Sequence, residues 1–161
     1  MRRIVLCLII ILTASSDLSY AETSDIWTKA QEGDAKSQAT VGVWHLYGRA
    51  DKEKNCDLAK EWFLKSARQG YEGAAVWLFV VYSGSYASCE ENKEQSKDWL
   101  TFAAGSGIAN YQWTLGEAYR DGWYGKPDID KAMFWLQRAA QQGYADAERD
   151  LEKLLAKTTK K

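Results

Sequence analysis

Histidine is the side chain that most often acts as a general acid or base, and this chain of 161 residues has only one. Its single histidine, His45, has no cysteine or carboxylate four residues away, the spacing that a zinc site on a helix uses. Ser–His–Asp or Cys–His catalysis would have to take this one histidine as its base. Carboxylates are plentiful, but no pattern brings two into one cleft, and no glycine-rich phosphate loop is present. We predict no enzymatic activity, metal or cofactor.

Two cysteines, Cys56 and Cys89, lie outside the apolar N-terminal segment. In an oxidising compartment two such thiols favour a disulfide, provided that their α-carbons come within about 7 Å. A bridge between them would close a loop of 33 residues. By restricting the unfolded chain it would add about 3–4 kcal/mol of stability.

The N-terminus has the pattern of a secretory signal. Arg2 and Arg3 precede an unbroken apolar run over residues 4–12, and Ser19-Tyr20-Ala21 places small residues where signal peptidase cleaves. A helix needs about 20 apolar residues to span a bilayer, so an uncleaved anchor is the weaker alternative. We predict a signal peptide over 1–21 and a periplasmic mature chain that does not insert into the membrane.

Composition indicates a helical globular protein. Hydrophobic residues make up 46% of the chain and charged residues 27%, which is ordinary for a folded domain. The formal net charge of −1 offers no basic surface for nucleic acid. A single proline suits long helices, and eight tryptophans need large surfaces to pack against.

Four residue classes recur in one frame. Glycines at 33, 70, 107 and 143 are separated by 37, 37 and 36 residues. An alanine stands three residues before each glycine: Ala30, Ala67, Ala104 and Ala140. A tryptophan stands eight residues before the last three glycines, and a branched aliphatic residue eight after the first three: Trp62, Trp99 and Trp135; Val41, Leu78 and Leu115. Such a period predicts a repeat protein.

Each period is interpreted as a helix–turn–helix unit. The segment before each glycine is amphipathic, and the glycine ends that helix in a left-handed conformation. The recurring alanines are small, so the next helix can approach closely. The predicted helix pairs are 35–47 with 57–69, 72–83 with 93–105, and 109–120 with 129–142. Capping helices are predicted over 26–32 and 145–157.

The third unit carries a motif of fixed spacing: Leu115-Gly116-x-x-Tyr119-x-x-Gly122, then Asp128-x-x-Lys131-Ala132-x-x-Trp135-x-x-x-Ala139-Ala140-x-x-Gly143. This motif resembles the Sel-one-like repeat, a relative of the tetratricopeptide repeat. The first unit departs from it by His45 at the tyrosine position. The middle unit departs by Phe79 at the first glycine position and by Ser96 at an alanine position.

The resemblance implies an all-α fold, a short right-handed solenoid over residues 22–157. Its repeats would span about 34–70, 71–107 and 108–143, between N-terminal and C-terminal capping helices and before a tail at 158–161. The expected function is that of a protein–protein interaction adaptor or regulator, which holds a protein partner in a concave groove lined by first helices.

Five aromatic residues are not required by the repeat, and we predict that they contact the partner. Three lie on first helices and two in the loop 121–128: Trp44, Trp77, Trp113, Trp123 and Tyr124. Core packing is the alternative for the first three, and folding back over their own helix ends is the alternative for the loop pair. Trp62, Trp99 and Trp135 are expected to be structural.

Two other functions stay open. An immunity protein that neutralises a secreted antibacterial effector in the periplasm would have the same fold, and a neighbouring effector gene would distinguish it. An envelope enzyme or a peptidoglycan-binding module would need a cleft with convergent carboxylates.

Overall fold

The computed structural model describes residues 21–86 and 89–158, and the regular structure of these residues is α-helical. Helix α1 extends from the first described residue to 32. The helices that follow are α2 Ala35–Tyr47, α3 Cys56–Ala67, α4 Glu72–Tyr82, α5 Lys93–Gly105, α6 Ala109–Asp121, α7 Ile129–Ala140 and α8 Ala145–Thr158. The predicted all-α class is confirmed, and the ends of α2 to α8 agree with prediction within two residues.

Helix α1 is longer than predicted, because residues 21–25 are also helical. Local side-chain bonds support the added turn: Lys29 Nζ lies 2.6 Å from Asp25 Oδ2, and Thr28 donates to the Ser24 carbonyl at 3.0 Å. Apart from Ala21, the predicted signal peptide lies outside the described residues, as do residues 159–161 of the predicted tail. Both stay predictions.

The chain divides into two compact units, of which the first ends at Tyr71. Within this unit α2 packs along α3. Trp62 of α3 contacts the core cluster that contains Ala30 and Val41, and its ring lies 5.6 Å from that of Trp27. This tryptophan of the repeat therefore links its own helix pair to α1.

The second unit begins at Glu72, and each of its helices packs against the next one in the chain. Trp135 of α7 contacts the cluster formed by Leu100, Ala104, Leu115 and Ala118. It thereby repeats the role of Trp62, because the first two of those residues belong to the preceding second helix. The expected structural role of these two tryptophans agrees with their packing.

The second helix of each pair begins at the same kind of cap. A side-chain oxygen accepts from a backbone N–H three residues later: Asn55 from Leu58 at 3.0 Å, Asn92 from Gln95 at 3.1 Å and Asp128 from Lys131 at 3.0 Å. The N–H of each cap residue donates to a carbonyl near the end of the first helix: to His45 at 2.8 Å, Tyr82 at 2.8 Å and Tyr119 at 2.9 Å. His45 thus occupies the tyrosine position, as predicted.

The helices of the first and third pairs approach so closely that only glycine fits at one position. A β-carbon on Gly42 would lie 2.6 Å from the Phe63 ring, and one on Gly116 would lie 2.8 Å from Cγ of Leu136. The middle repeat has Phe79 there, and this ring packs half-buried against the core of the second unit.

A pair of glutamine side chains recurs in the first and third repeats, and the sequence reasoning missed it. Gln38 Nε2 donates to the Ala30 carbonyl at 3.2 Å, and its Oε1 accepts from Gln69 Nε2 at 2.8 Å. The third repeat has the same two bonds: Gln112 Nε2 to the Ala104 carbonyl at 3.2 Å, and Gln142 Nε2 to Gln112 Oε1 at 2.7 Å. Each pair joins three consecutive helical segments.

Candidate functional site

The second unit contains a groove of about 560 Å³ between α4 and α6. Its lining comes from the end of α4, the segment that leads into α5, the first turn of α5, Thr114 of α6 and the loop after α6: Phe79, Ser83, Ser85, Glu91, Lys93, Ser96, Thr114, Trp123 and Tyr124. We call it the aromatic groove. Two of the five predicted contact residues, Trp123 and Tyr124, lie in it.

The loop that presents Trp123 is held by backbone hydrogen bonds. The Trp123 N–H donates to the Ala118 carbonyl at 3.0 Å, and the Gly125 N–H donates to the Gly122 carbonyl at 3.2 Å. Gly122 has a φ of +70°, and a β-carbon there would lie 2.6 Å from the Gly125 oxygen and 2.9 Å from Pro127. The loop therefore holds Trp123 in place while 44% of its surface stays exposed.

Tyr124 folds back, whereas its neighbour does not. Its ring is half-buried against the cluster around Leu115, and its hydroxyl lies 3.2 Å from Ser96 Oγ. Burial raises the pKa of the Tyr124 hydroxyl, and the bond to Ser96 opposes that rise. The packing of Tyr124 thus fits the alternative of folding back, whereas Trp123 is 44% exposed, and contact of either residue with a partner stays a prediction.

A second depression, of about 500 Å³, is lined by the same loop and by the first turns of α5. Trp123 and Tyr124 line both depressions, and so does Lys93 at the start of α5. The two aromatic residues therefore border both depressions. An exposed indole in such a position is the kind of residue that dominates binding energy in protein interfaces.

The hydroxyl groups of the aromatic groove are engaged within the protein. Ser83 Oγ donates to the Val80 carbonyl at 2.8 Å and lies 2.7 Å from Ser85 Oγ. Thr114 donates to the Asn110 carbonyl at 2.9 Å. Glu91 and Lys93 are the charged residues of the lining. The groove thus offers an apolar aromatic centre with one charge of each sign beside it.

Both departures of the middle repeat lie in this groove. Phe79 stands where the other repeats have Gly42 and Gly116, and Ser96 stands where they have Ala59 and Ala132. Phe79 lines the groove, and the buried Ser96 bonds to Tyr124. The sequence contained these departures, but only the fold shows that they meet the loop after α6.

A family model described as the Sel1 repeat matches residues 35–71 and 109–144, which include most of the first and third predicted repeats. The chain contains Sel1 repeats. The predicted resemblance is therefore confirmed. Sel1 repeats form a family of protein–protein interaction scaffolds, and its members are typically non-enzymatic.

Two solved structures have a similar fold. A Sel1 repeat protein from Oxalobacter formigenes is 27% identical with a TM-score of 0.68, over 82% of this chain and 98% of that one. A protective antigen present in uropathogenic Escherichia coli strains, which displays an SLR fold, is 28% identical with a TM-score of 0.70, over 80% of this chain and 27% of that one. The fold class is an all-α helical repeat solenoid, as predicted.

Chitin synthase regulatory factor 3 of Schizosaccharomyces pombe is 32% identical over 121 residues, or 74% of this chain. The chain spans 13% of the length of that relative. The similarity therefore concerns a small part of the larger protein.

The other predicted contact residues lie outside the aromatic groove. Trp44 is 9% exposed in the core cluster with Ala30 and Val41, which fits the alternative of core packing; its contact with a partner stays a prediction. It stands three residues after Val41, on the same helix face. Trp77 is half-buried on α4.

Trp113 faces a different hollow of the Sel1 repeat protein, between α6 and α8. Its ring is half-buried and lies 5.6 Å from that of Tyr144, and its Nε1 donates to Asp150 Oδ2 at 3.1 Å. Burial raises the pKa of Asp150, but the hydrogen bonds from Trp113 and Lys153 and the positive charges of Lys153 and Arg120 together outweigh it, so the pKa is lowered. Asp150 is therefore ionised at neutral pH.

His45 lies in the core of the first unit. Its Nδ1 is buried and has no hydrogen-bond partner among the residues that the structure describes, and the ring bonds to the backbone of Glu53. Burial lowers the pKa of His45, so the ring is neutral at pH 7. Over residues 21–86 and 89–158, no three His, Cys, Asp or Glu residues are grouped as metal ligands.

Cys56 and Cys89 are both buried and both disulfide-bonded, in agreement with the predicted disulfide. Across the described part of the chain, no helix combines the length and the apolar character needed to cross a bilayer.

Proposed function

We propose that this Sel1 repeat protein is a periplasmic adaptor or regulator that binds a partner protein through the aromatic groove. The observation that carries the proposal is the meeting of Phe79, Ser96, Trp123 and Tyr124 in one groove. The repeat requires none of these residue types at these positions, and a tryptophan left exposed on a fixed loop stabilises the free protein little.

A segment of a protein is the ligand that suits this groove best. Its volume of about 560 Å³ accommodates several side chains. Its hydroxyl groups already have partners within the chain, so recognition falls to apolar contact with the aromatic rings. Large apolar side chains that enter such pockets supply most of the affinity of an interface.

Export is part of the proposal. The basic and then apolar N-terminal pattern and the two disulfide-bonded cysteines both fit an oxidising compartment. Mass spectrometry of the protein from a periplasmic extract should find Glu22 as its first residue. An intact Met1 in a cytoplasmic fraction would contradict export.

The binding test compares two exposed aromatic residues. Trp123 lies in the groove, whereas Phe134, which is 50% exposed on α7, lies outside its lining. Cell-envelope extracts are passed over the immobilised parent, Trp123→Ala and Phe134→Ala, and retained proteins are identified by mass spectrometry. A partner held by the parent and by Phe134→Ala should be lost with Trp123→Ala.

The affinity for that partner should fall by about thirtyfold or more in Trp123→Ala, as expected for a central interface residue. Both variants should melt near the parent, because both side chains are exposed. Equal retention by all three proteins would place the binding surface elsewhere. The identity of the partner distinguishes an adaptor from an immunity protein, since the latter would retain a secreted effector rather than a resident envelope protein.

A further inference from the structure

A separate hollow, of about 310 Å³, lies between α6 and α8. The indole of Trp113 and the charged groups of both helices line it. Three basic residues of α8, Arg149, Lys153 and Lys157, follow at intervals of four and so lie along one side of the helix. We call this hollow the basic depression.

In the basic depression a carboxylate is buried, whereas two of the cations are exposed to solvent. The Asp150 carboxylate is 8% exposed and is held by Trp113, by Arg120 at 3.5 Å and by Lys153 at 3.3 Å. By contrast, the side chains of Lys153 and Arg149 are 63% and 57% exposed. A ligand approaching from solvent therefore meets cations first.

The remaining carboxylates near the basic depression have partners of their own. Glu117 bonds to Arg120 at 2.9 Å, and Asp146 bonds to Arg149 at 2.7 Å. Lys157 also lines the depression; it is attracted by the Asp121 carboxylate, but no ion pair within 4 Å holds it among the described residues. Lys153 and Lys157 are thus the cations most available to a ligand.

The two hollows share α6. Thr114 faces the aromatic groove, whereas Trp113 and Arg120 face the basic depression. The width of one helix is about 10 Å, and an extended chain covers about 3.3 Å per residue. An extended segment that crosses α6 therefore needs about three residues to pass from one hollow to the other.

We propose that the partner segment carries acidic side chains about three residues from its apolar anchor, with the anchor against Trp123 and the carboxylates in the basic depression. This inference rests on the proposed function, because it takes the aromatic groove as the site of the anchor. The complementarity is between exposed ammonium groups of α8 and carboxylates of the segment. It gives the bound segment a direction across α6.

The experiment selects ligands from a random peptide library displayed on phage, with the purified whole protein as bait. Peptides retained by the parent should share a large apolar residue and Asp or Glu about three positions away. Lys157→Glu should lose the acidic preference and keep the apolar one. Lys36→Glu makes the same charge change at an exposed residue of α2 in the first unit, and it should select the same peptides as the parent.

Affinity is then measured by fluorescence anisotropy for one selected peptide and for its Asn/Gln counterpart. Loss of the carboxylates should weaken binding at least threefold, within the range of exposed ion pairs, and added salt should reduce the difference. Unfolding midpoints of the variants, followed by circular dichroism, verify that each is folded.

The outcomes separate the two proposals. Apolar peptides with no acidic preference, selected equally by Lys157→Glu, would overturn the role of the basic depression and leave the aromatic groove intact. Peptides that Trp123→Ala also retains, or a selection that enriches nothing, would overturn the proposed function itself.

Discussion

Gln142 donates a hydrogen bond from Nε2 to Oε1 of Gln112 at 2.7 Å, and thereby joins the turn after α7 to α6. Gln112 in turn donates to the carbonyl of Ala104 on α5. One buried carboxamide thus connects three successive helical segments. Gln112→Ala would leave the Ala104 carbonyl and the Gln142 amide without these partners, and we expect a loss of about 1–3 kcal/mol in the free energy of unfolding.

Urea unfolding followed by circular dichroism measures this loss. Gln137→Ala is the matched control, because Gln137 is an exposed residue of α7, and it should stay within about 0.5 kcal/mol of the parent. If Gln112→Ala and Gln137→Ala unfold at the same urea concentration, the glutamine pair contributes no stability.

The close approach of α6 and α7 gives a second prediction. A β-carbon on Gly116 would lie 2.8 Å from Cγ and 3.2 Å from the backbone nitrogen of Leu136. Gly116→Ala should therefore cost about 1–3 kcal/mol, the usual range for overpacking. The backbone nitrogen cannot move aside as the end of a side chain would.

Gly105 provides the control for this substitution. It ends α5, and a β-carbon there would meet nothing within 4 Å. Gly105→Ala should be neutral or should stabilise the protein by up to about 1 kcal/mol, because alanine is the better helix former. A Gly116→Ala variant that melts with or above Gly105→Ala would show that α6 and α7 separate at little cost.

The period of the sequence predicted the helices well, because glycines and alanines that recur in one frame reflect local requirements. Gly70 and Gly143 have φ values of +83° and +77°, as a residue that ends a helix in a left-handed conformation should. The conformation of such a glycine depends on residues close to it in the chain, so the residue type and its spacing are visible in a single sequence.

The groove could not be predicted in this way, since its parts are distant in sequence. Ser96 and Tyr124 are 28 residues apart, and their contact depends on how α5 packs against the loop after α6. The glutamine pair did leave a signal: Gln38 and Gln112 are 74 residues apart, which is two periods of 37. The middle repeat has Ala75 at that position, and this break in the series concealed the signal.

The contact between Ser96 and Tyr124 gives a third prediction. Ser96→Ala restores the residue type of the other repeats, and Tyr124→Phe removes only the hydroxyl. Each should cost about 0.5–1.5 kcal/mol through the lost hydrogen bond. The double variant should cost no more than the larger single change, because both remove the same bond. Strict additivity in urea unfolding would mean that the two hydroxyls do not interact.

The disulfide gives a fourth prediction. Reduction, or the double variant Cys56→Ser/Cys89→Ser, should lower the unfolding free energy by about 3–4 kcal/mol, because the unfolded chain gains the freedom of a 33-residue loop. Neither thiol of the native protein should react with a maleimide before reduction, since both are disulfide-bonded. Full labelling without reductant would contradict a bridge between them.

The last prediction concerns pH and His45. Burial lowers the pKa of this ring below its ordinary value of 6.5, whereas the unfolded chain restores that value. As the pH falls through about 6.5, the unfolded state therefore binds a proton before the folded state does. The stability that the neutral ring contributes is complete above this pH and is lost below it, until the folded state is protonated too.

His45→Gln removes the titrating group, so its unfolding free energy should change less than that of the parent between about pH 7 and 5. Carboxyl groups with lowered pKa, such as those of Asp128 and Asp150, act in another window: their contribution is present above 3.8 and is lost as the pH falls below it. Urea unfolding at several pH values separates the two effects. If the parent and His45→Gln have parallel pH dependence above pH 5, burial of His45 does not set the acid sensitivity of the first unit.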